Sequence, residues 1–499
     1  MDIFAGLAHG FSVALMPTNL MWCLIGCFLG TIVGILPGLG PAATIAMLLP
    51  MTYSMSPASG IIMLTGIYYG AKYGGSTTSI LLNMPGESSS VVTCIDGYQM
   101  ARKGRAGAAL GIAAIASFIA GSFGIVALSL IAPPIAAFAL SFSSPEYFAL
   151  MALGLALVVL LAGDSLVKGL IALLVGLWLT SIGTDLFTSQ SRFTFGQTSL
   201  LSGLDFMVVA IGVFAITEVL SSIADKEETQ VLPVPKGLRN LLPTWEELKA
   251  CRFAFANGSI VGFIIGVLPG AGASIASFIS YGIERAFSRH PEKFGTGLPE
   301  GVAAPEGANN ADTGGALIPL LTLGIPGGGT TAILLSALVL WGVKPGPLMM
   351  TESPDVFWGL VASLYIGNVM LLILNLPMVP LFAQILRIPV YILHPLIFGV
   401  SVIGAYSVAG RVFDVLLLAG FGALGFAMSR LKFPVAPIVL GFVLGDAMER
   451  ALRQSLMMSQ GDLSILISRP ISAGMLILAI SVLFLPLLPR FRRLKEAAG

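Results

Sequence analysis

The 499-residue chain is 56% hydrophobic and only 10% charged, with mean hydropathy +0.93. Soluble proteins carry about 25% charged residues, so this balance excludes an ordinary soluble domain and indicates an all-α polytopic membrane protein. The net charge of +1 points to neither a nucleic acid nor an acidic partner.

From the N-terminus, no basic segment and no small-residue cleavage site flank the first apolar run, so no cleavable signal peptide is expected. Cys23 and Cys27 lie four apart, with no His or second Cys pair to complete a ligand set. They read as small core residues and not as a metal pair. The run 19–53 is broken by Gly34-Ile35-Leu36-Pro37-Gly38-Leu39-Gly40. Proline removes a backbone donor and clashes with the preceding turn, and glycine adds freedom. In lipid, such a break is tolerated only where it is buried or lines a cavity. Further runs approaching the roughly 20 residues a crossing needs lie at 60–82, 106–132, 146–163, 168–184 and 206–224. The polar segment 225–252 carries Pro233, Pro235, Pro243 and ten charged residues, and reads as a linker. Beyond it, 255–284 contains a second break, Gly266-Val267-Leu268-Pro269-Gly270-Ala271-Gly272. Apolar runs then follow at 310–341, 356–382, 390–409, 413–429, 434–450 and 468–488.

The two halves repeat. Leu36-Pro37-Gly38 matches Leu268-Pro269-Gly270 at an offset of 232, and Asn83-Met84-Pro85-Gly86 matches Gly324-Ile325-Pro326-Gly327 at 241. The extra nine residues fit the polar loop 285–300. Lys and Arg favour cytoplasmic loops. The basic turn Arg102, Lys103, Arg105 is matched at 342–355 by one Lys against Glu352 and Asp355, and Arg430 and Lys432 are matched at 185–205 by one Arg against two Asp. Basic loops at non-matching positions are what inverted repeats require. The linker and the tail Arg490, Arg492, Arg493, Lys495 are then cytoplasmic, and 468–488 is an extra helix. Arg285, Arg289 and Lys293 make 255–284 a re-entrant hairpin from the cytoplasm, and symmetry makes 23–53 its twin from outside. The expected units are a first repeat (1–224), a cytoplasmic linker (225–252), a second repeat (253–467) and a C-terminal helix with a basic tail (468–499).

Three features carry chemistry. The tips offer Pro37, Gly38, Gly40, Pro269, Gly270 and Gly272, after which new helical stretches begin. Free N–H groups and the positive dipole end at such a start suit an anion. The interrupted crossings offer Ser76, Thr77, Asn83, Asn309, Asn310, Asp312, Gly327, Thr330 and Thr331. Their hard oxygen ligands suit Na⁺ or the orientation of a carboxylate. Lys72 is positioned to face an anion, with an interface lysine as the alternative, and Asp312 and Glu87 are either cation ligands or loop carboxylates. His9, His290 and His394 are scattered without metal spacing, and neither a catalytic constellation nor a phosphate loop is present, which disfavours an enzyme.

The stretches Gly-Ile-Leu-Pro-Gly-Leu-Gly-Pro (34–41), Tyr-Tyr-Gly-Ala-Lys-Tyr-Gly-Gly-Ser (68–76), Leu-Asn-Met-Pro-Gly-Glu (82–87), Ala-Pro-Glu-Gly-Ala-Asn-Asn (304–310) and Gly-Gly-Ala-Leu-Ile-Pro-Leu-Leu-Thr-Leu-Gly-Ile-Pro-Gly (314–327) resemble the large membrane subunit of the tripartite tricarboxylate transporter family. The resemblance implies a multi-pass protein of the bacterial inner membrane that takes up organic carboxylates such as citrate, driven by an ion gradient. It implies two partners, a small membrane subunit and a periplasmic solute-binding protein. The order of hairpin then broken crossing also resembles ion-coupled elevator carriers.

The sequence therefore leads to an expectation of carboxylate uptake with no cofactor and Na⁺ or H⁺ as coupling ion. Substrate is expected at Pro37, Gly38, Gly40, Lys72, Ser76, Thr77, Pro269, Gly270, Gly272, Gly327, Thr330 and Thr331. The cation is expected at Asn83, Asn309, Asn310 and Asp312. A homodimer stays open, as does an anion channel or a carrier for another small solute. A membrane enzyme is the remaining rival.

Overall fold

The computed structural model describes residues 2–36, 40–161, 165–185, 187–224, 241–378, 381–382, 384 and 390–484. Pro37 and Gly38 lie outside them, as do most of the linker and the basic tail. The described residues are all-α apart from one two-stranded ribbon, β1 (Gly183–Thr184) with β2 (Ser191–Arg192). Six helices among the described residues are long and apolar enough to cross a membrane, which makes this a multi-pass membrane protein.

The first half opens with α1 (Ile3–Ala14), α2 (Pro17–Ile35), α3 (Pro41–Leu48) and α4 (Pro57–Leu82). After a break come α5 (Val91–Met100), α6 (Ala106–Ala139), α7 (Ser144–Leu161) and α8 (Leu166–Thr180). A rod over 206–224 combines α9 (Phe206–Ala210), a wider-wound turn and α10 (Thr217–Ala224). The second half has α11 (Trp245–Ala250), α12 (Arg252–Val267), α13 (Gly272–Phe287), α14 (Pro299–Leu323), α15 (Gly329–Leu340), α16 (Met349–Glu352) and α17 (Pro354–Asn375). Helices Val390–Ala409, Val412–Arg430, Ala436–Met458, Ile465–Ser468 and Pro470–Phe484 complete it, the last packing on α7.

Glycines explain why the central helices lie so close. Cβ atoms at Gly26, Gly30 and Gly34 of α2 would stand 2.3, 2.4 and 2.3 Å from the carbonyl oxygens of Met63, Ile67 and Ala71 on α4. On α12, Gly258, Gly262 and Gly266 would meet the carbonyls of Ala304, Ala308 and Asp312 on α14 at 2.8, 2.3 and 2.5 Å. The two stripes are offset by 232 and their partners by 241, the values of the sequence motifs. Only a residue without a Cβ lets helix backbones approach this far.

The breaks correspond as well. Asn83 ends α4 in the left-handed region at φ 59°, and Gly324 ends α14 there at φ 70°. Glu87 N–H then donates to Ser90 Oγ at 3.4 Å, and Gly328 N–H to Thr331 Oγ1 at 2.8 Å. One sequence boundary needs correction. The second crossing starts at Pro299 and not near 310, because proline fits the first helical turn, where its missing N–H is not needed. Ser76 and Thr77, like Asn309, Asn310 and Asp312, lie within continuous helix, and the interruptions follow at 83–87 and 324–328.

α12 and α13 run side by side and antiparallel. Asn257, early in α12, donates to Ser280 O at 2.8 Å and to Glu284 Oε2 at 3.1 Å, late in α13. Ser277 and Ser280 of α13 donate to Pro305 O and Ala304 O, which seats the pair on α14. The linker's C-terminal end is not loose: Leu241 and Cys251 are buried beside α6.

Candidate functional site

The four interrupted stretches converge on one cavity of about 450 Å³. Gly40 and Pro41 enter from the start of α3, and Gly270 to Ile275 from the tip and first turn of α13. Glu87, Ser88 and Ser89 enter from the first crossing's break, and Gly327 to Thr331 from the second's. Gly270 N–H donates to Gly327 O at 2.7 Å, tying a tip to a break within one half. Ser274 Oγ donates to Ser88 Oγ at 3.0 Å, tying a tip to the break of the other half. Gly270 holds φ 85°, and a Cβ there would sit 2.3 Å from Val158 Cα, so the tip requires glycine. Helix starts at Pro41, Gly272 and Gly329 all border the cavity, so first-turn N–H groups, which have no partner within a helix, and positive dipole ends are directed at it.

Three charged side chains line this space. Lys72 Nζ lies 3.0 Å from Glu87 Oε1 and donates to Ser89 Oγ at 3.3 Å. Ser89 Oγ donates in turn to Glu87 Oε1. Both members of the ion pair are buried. Asp312 is 2% exposed, and its Oδ1 has no hydrogen-bond partner. A buried carboxylate oxygen without a donor is costly unless a cation or proton joins it. The repeat offset shows how the halves differ: Ala71-Lys72 stands where the second half has Asp312-Thr313.

The cavity thus gathers Gly40, Lys72, Gly270, Gly272, Asp312, Gly327, Thr330 and Thr331 from the expected set. Other expected residues lie elsewhere. Ser76 and Thr77 border a separate void of about 10 Å³. Pro269 packs toward Gly154 of α7. Asn83 is exposed at the end of α4. Asn309 donates to Glu306 of its own helix at 3.3 Å, and Asn310 to Ser117 Oγ of α6 at 2.7 Å, so neither lines the cavity. Tyr68, Ser88, Ser89 and Ser274 were not among the expected site residues; Ser88 and Ser274 meet across 186 residues, whereas Ser89 bonds Glu87 close by in the chain. Sequence reasoning also passed over Glu306, although an ionisable residue in an apolar helix is itself a signal.

The model of the tripartite tricarboxylate transporter TctA family matches residues 20–440. The chain is 47% identical over 499 residues to an uncharacterized 52.8 kDa protein in the TAR-I ttuC' 3' region of Agrobacterium vitis, covering 99% of this chain and 98% of that relative. It is 43% identical over 235 residues to an uncharacterized protein in the TAR-II ttuC' 3' region of the same organism, covering 47% of this chain and 97% of that relative. No solved structure matches the chain.

Proposed function

The chain belongs to the tripartite tricarboxylate transporter TctA family, and from that premise we propose that it is the large membrane subunit of a carrier that takes up a small di- or tricarboxylate. The observation that carries this reading is the cavity where glycine tips and helix starts of both halves meet beside Lys72. A tripartite family implies partner subunits and a binding protein. Here these are a small membrane subunit and a periplasmic solute-binding protein that delivers the carboxylate, in the bacterial inner membrane.

In this reading, first-turn backbone N–H groups of α13 (Gly272–Ser274) and α15 (Gly329–Thr331) hold the carboxylates, with the hydroxyls of Thr330 and Thr331. The substrate takes Lys72 from Glu87. Asp312, with its unpartnered Oδ1, and the released Glu87 then receive the coupling cation, Na⁺ or H⁺. The shared glycine stripes, left-handed ends and capping contacts at offsets of 232 and 241 support two repeats, 1–224 and 253–467. The distribution of basic loops supports their inversion about a cytoplasmic linker, 225–252, with 468–499 as an added helix and tail. The antiparallel α12 and α13 support a re-entrant hairpin. Two such hairpins and two broken crossings form a unit suited to elevator-like motion.

The test is uptake into proteoliposomes holding the chain with both partners, varying Na⁺ and pH separately over mono-, di- and tricarboxylates. Accumulation of a di- or tricarboxylate that needs the binding protein and a cation gradient, together with counterflow, is expected. Flux without counterflow would make the protein a channel.

A further inference from the structure

Behind the cavity lies an ionisable group that the substrate site does not use. Glu306 on α14 is fully buried. Its Oε2 accepts from Ser76 Oγ at 2.5 Å and Asn309 Nδ2 at 3.3 Å, and its Oε1 from Thr93 Oγ1. These donors are neutral, and none of the ion pairs among the described residues includes Glu306. As an anion, a carboxylate so placed carries a large uncompensated desolvation cost, which protonation removes.

The neighbouring titratable groups offer no cation. From α4 come Tyr73 and Lys72, and Lys72 is already paired with Glu87. From α5 comes Cys94, while Asp96, one turn beyond Thr93, accepts from Tyr281 of α13 and from the backbone N–H groups of Gly295 and Gly297. Glu87 in the break adds only a like charge. From α6 the nearest polar group is Ser117, reached through Asn310, whose Oδ1 is buried without a partner.

The surroundings accept either state of the acid. Ser76 has a second acceptor, the Lys72 carbonyl oxygen at 3.4 Å, so its hydroxyl can turn there and accept a hydrogen bond from the protonated Glu306. The void of about 10 Å³ beside Ser76, Ser117 and Tyr73 has room for about one water. Ser76 and Lys72 lie one turn apart on α4, so one stretch of helix touches both Glu306 and the cavity.

We propose that Glu306 is a proton-binding site outside the substrate cavity, loaded from water and coupled through Ser76 and Lys72 to anion occupancy of the cavity. The coupling part rests on the carrier reading above; the proton site does not. Infrared pH-difference spectra of the purified full chain test it without substrate. Between about pH 5 and about pH 9, the wild type should show a protonated-carboxyl band that Glu306→Gln lacks. Identical carboxyl bands in the two overturn the site. Should Glu306→Gln fail to fold, Thr93→Val, which removes one donor, must shift the wild-type band, and an unshifted band overturns the site equally. In proteoliposomes with both partners and citrate as probe, Glu306→Gln should lose accumulation driven by a pH gradient at least tenfold relative to counterflow. An unchanged ratio overturns the coupling. If the wild type moves no mono-, di- or tricarboxylate, the carrier reading fails while the infrared result still judges Glu306.

Discussion

Replacing Glu87 by Gln should tighten carboxylate binding. In the proposed carrier Glu87 holds the place of a substrate carboxylate, 3.0 Å from Lys72 and hydrogen-bonded to Ser89. At an effective dielectric of about 20, unit charges at that distance attract by about 5.5 kcal/mol, and a bound anion must replace this attraction. Glutamine keeps the shape and a contact with Ser89 but not the charge. If one quarter of the attraction is returned to the substrate, about 1.4 kcal/mol, affinity rises about tenfold. The empty protein moves the other way. Removing one partner of a buried pair costs about 3–5 kcal/mol because the other charge is left alone. Thermal unfolding of the purified chain, with and without citrate, reads both terms. Glu87→Gln should lower Tm in buffer and enlarge the upward shift that citrate produces. An unchanged or weaker citrate shift would refute the exchange of Lys72 between Glu87 and substrate.

Three further outcomes follow from the geometry. Gly262→Val on α12 places a Cβ 2.3 Å from the Ala308 carbonyl oxygen, and Gly30→Val on α2 places one 2.4 Å from that of Ile67. Each should cost about 1–3 kcal/mol or more as the helices part, read as a lower Tm, while Gly282→Val, with open space at its Cβ, should change little. Asp312→Asn should flatten the dependence of citrate affinity on Na⁺ or pH, and a curve matching wild type would remove Asp312 from the ion site. In the ribbon outside the membrane helices, the Thr188 and Phe187 N–H groups, then Arg453 and Arg192, hold the Asp185 carboxyl down at about 2. A lowered value means the contribution is present above the ordinary carboxylate range and is lost as pH falls through about 2. Protection of the amides at 183–185 and 187–192, taken relative to their unfolded-peptide exchange rates, should therefore fall on acidification below about pH 4, and Asp185→Asn should lose that pH-dependent change in protection.

The breaks were legible because Leu-Pro-Gly and Asn-Met-Pro-Gly interrupt apolar runs at matching offsets, and the structure puts Gly40, Gly270 and Gly327 around one cavity. Lys72 and Asp312 were legible because a charge within an apolar run is conspicuous. The direction of side chains was not. Asn310 is two residues from Asp312 and so faces differently on the helix, joining Ser117, while Asn309, three residues before Asp312, turns back to Glu306 and Asp312 reaches the cavity. Ser274 and Ser88 meet across 186 residues, a contact no local pattern announces. The start of the second crossing was misplaced because Pro299 and Glu300 look like loop residues, although both suit a first helical turn.

The most direct test of the central claim is substrate protection at the cavity wall. With the four native cysteines replaced, single cysteines at Thr330 and Ser274 would be modified by a small thiol reagent in the presence and absence of citrate. Citrate should slow both reactions about tenfold or more at saturation and leave Gln190→Cys, on the exposed ribbon, unaffected. Equal rates at Thr330→Cys and Ser274→Cys with and without citrate, in a preparation that transports it, would place the substrate elsewhere.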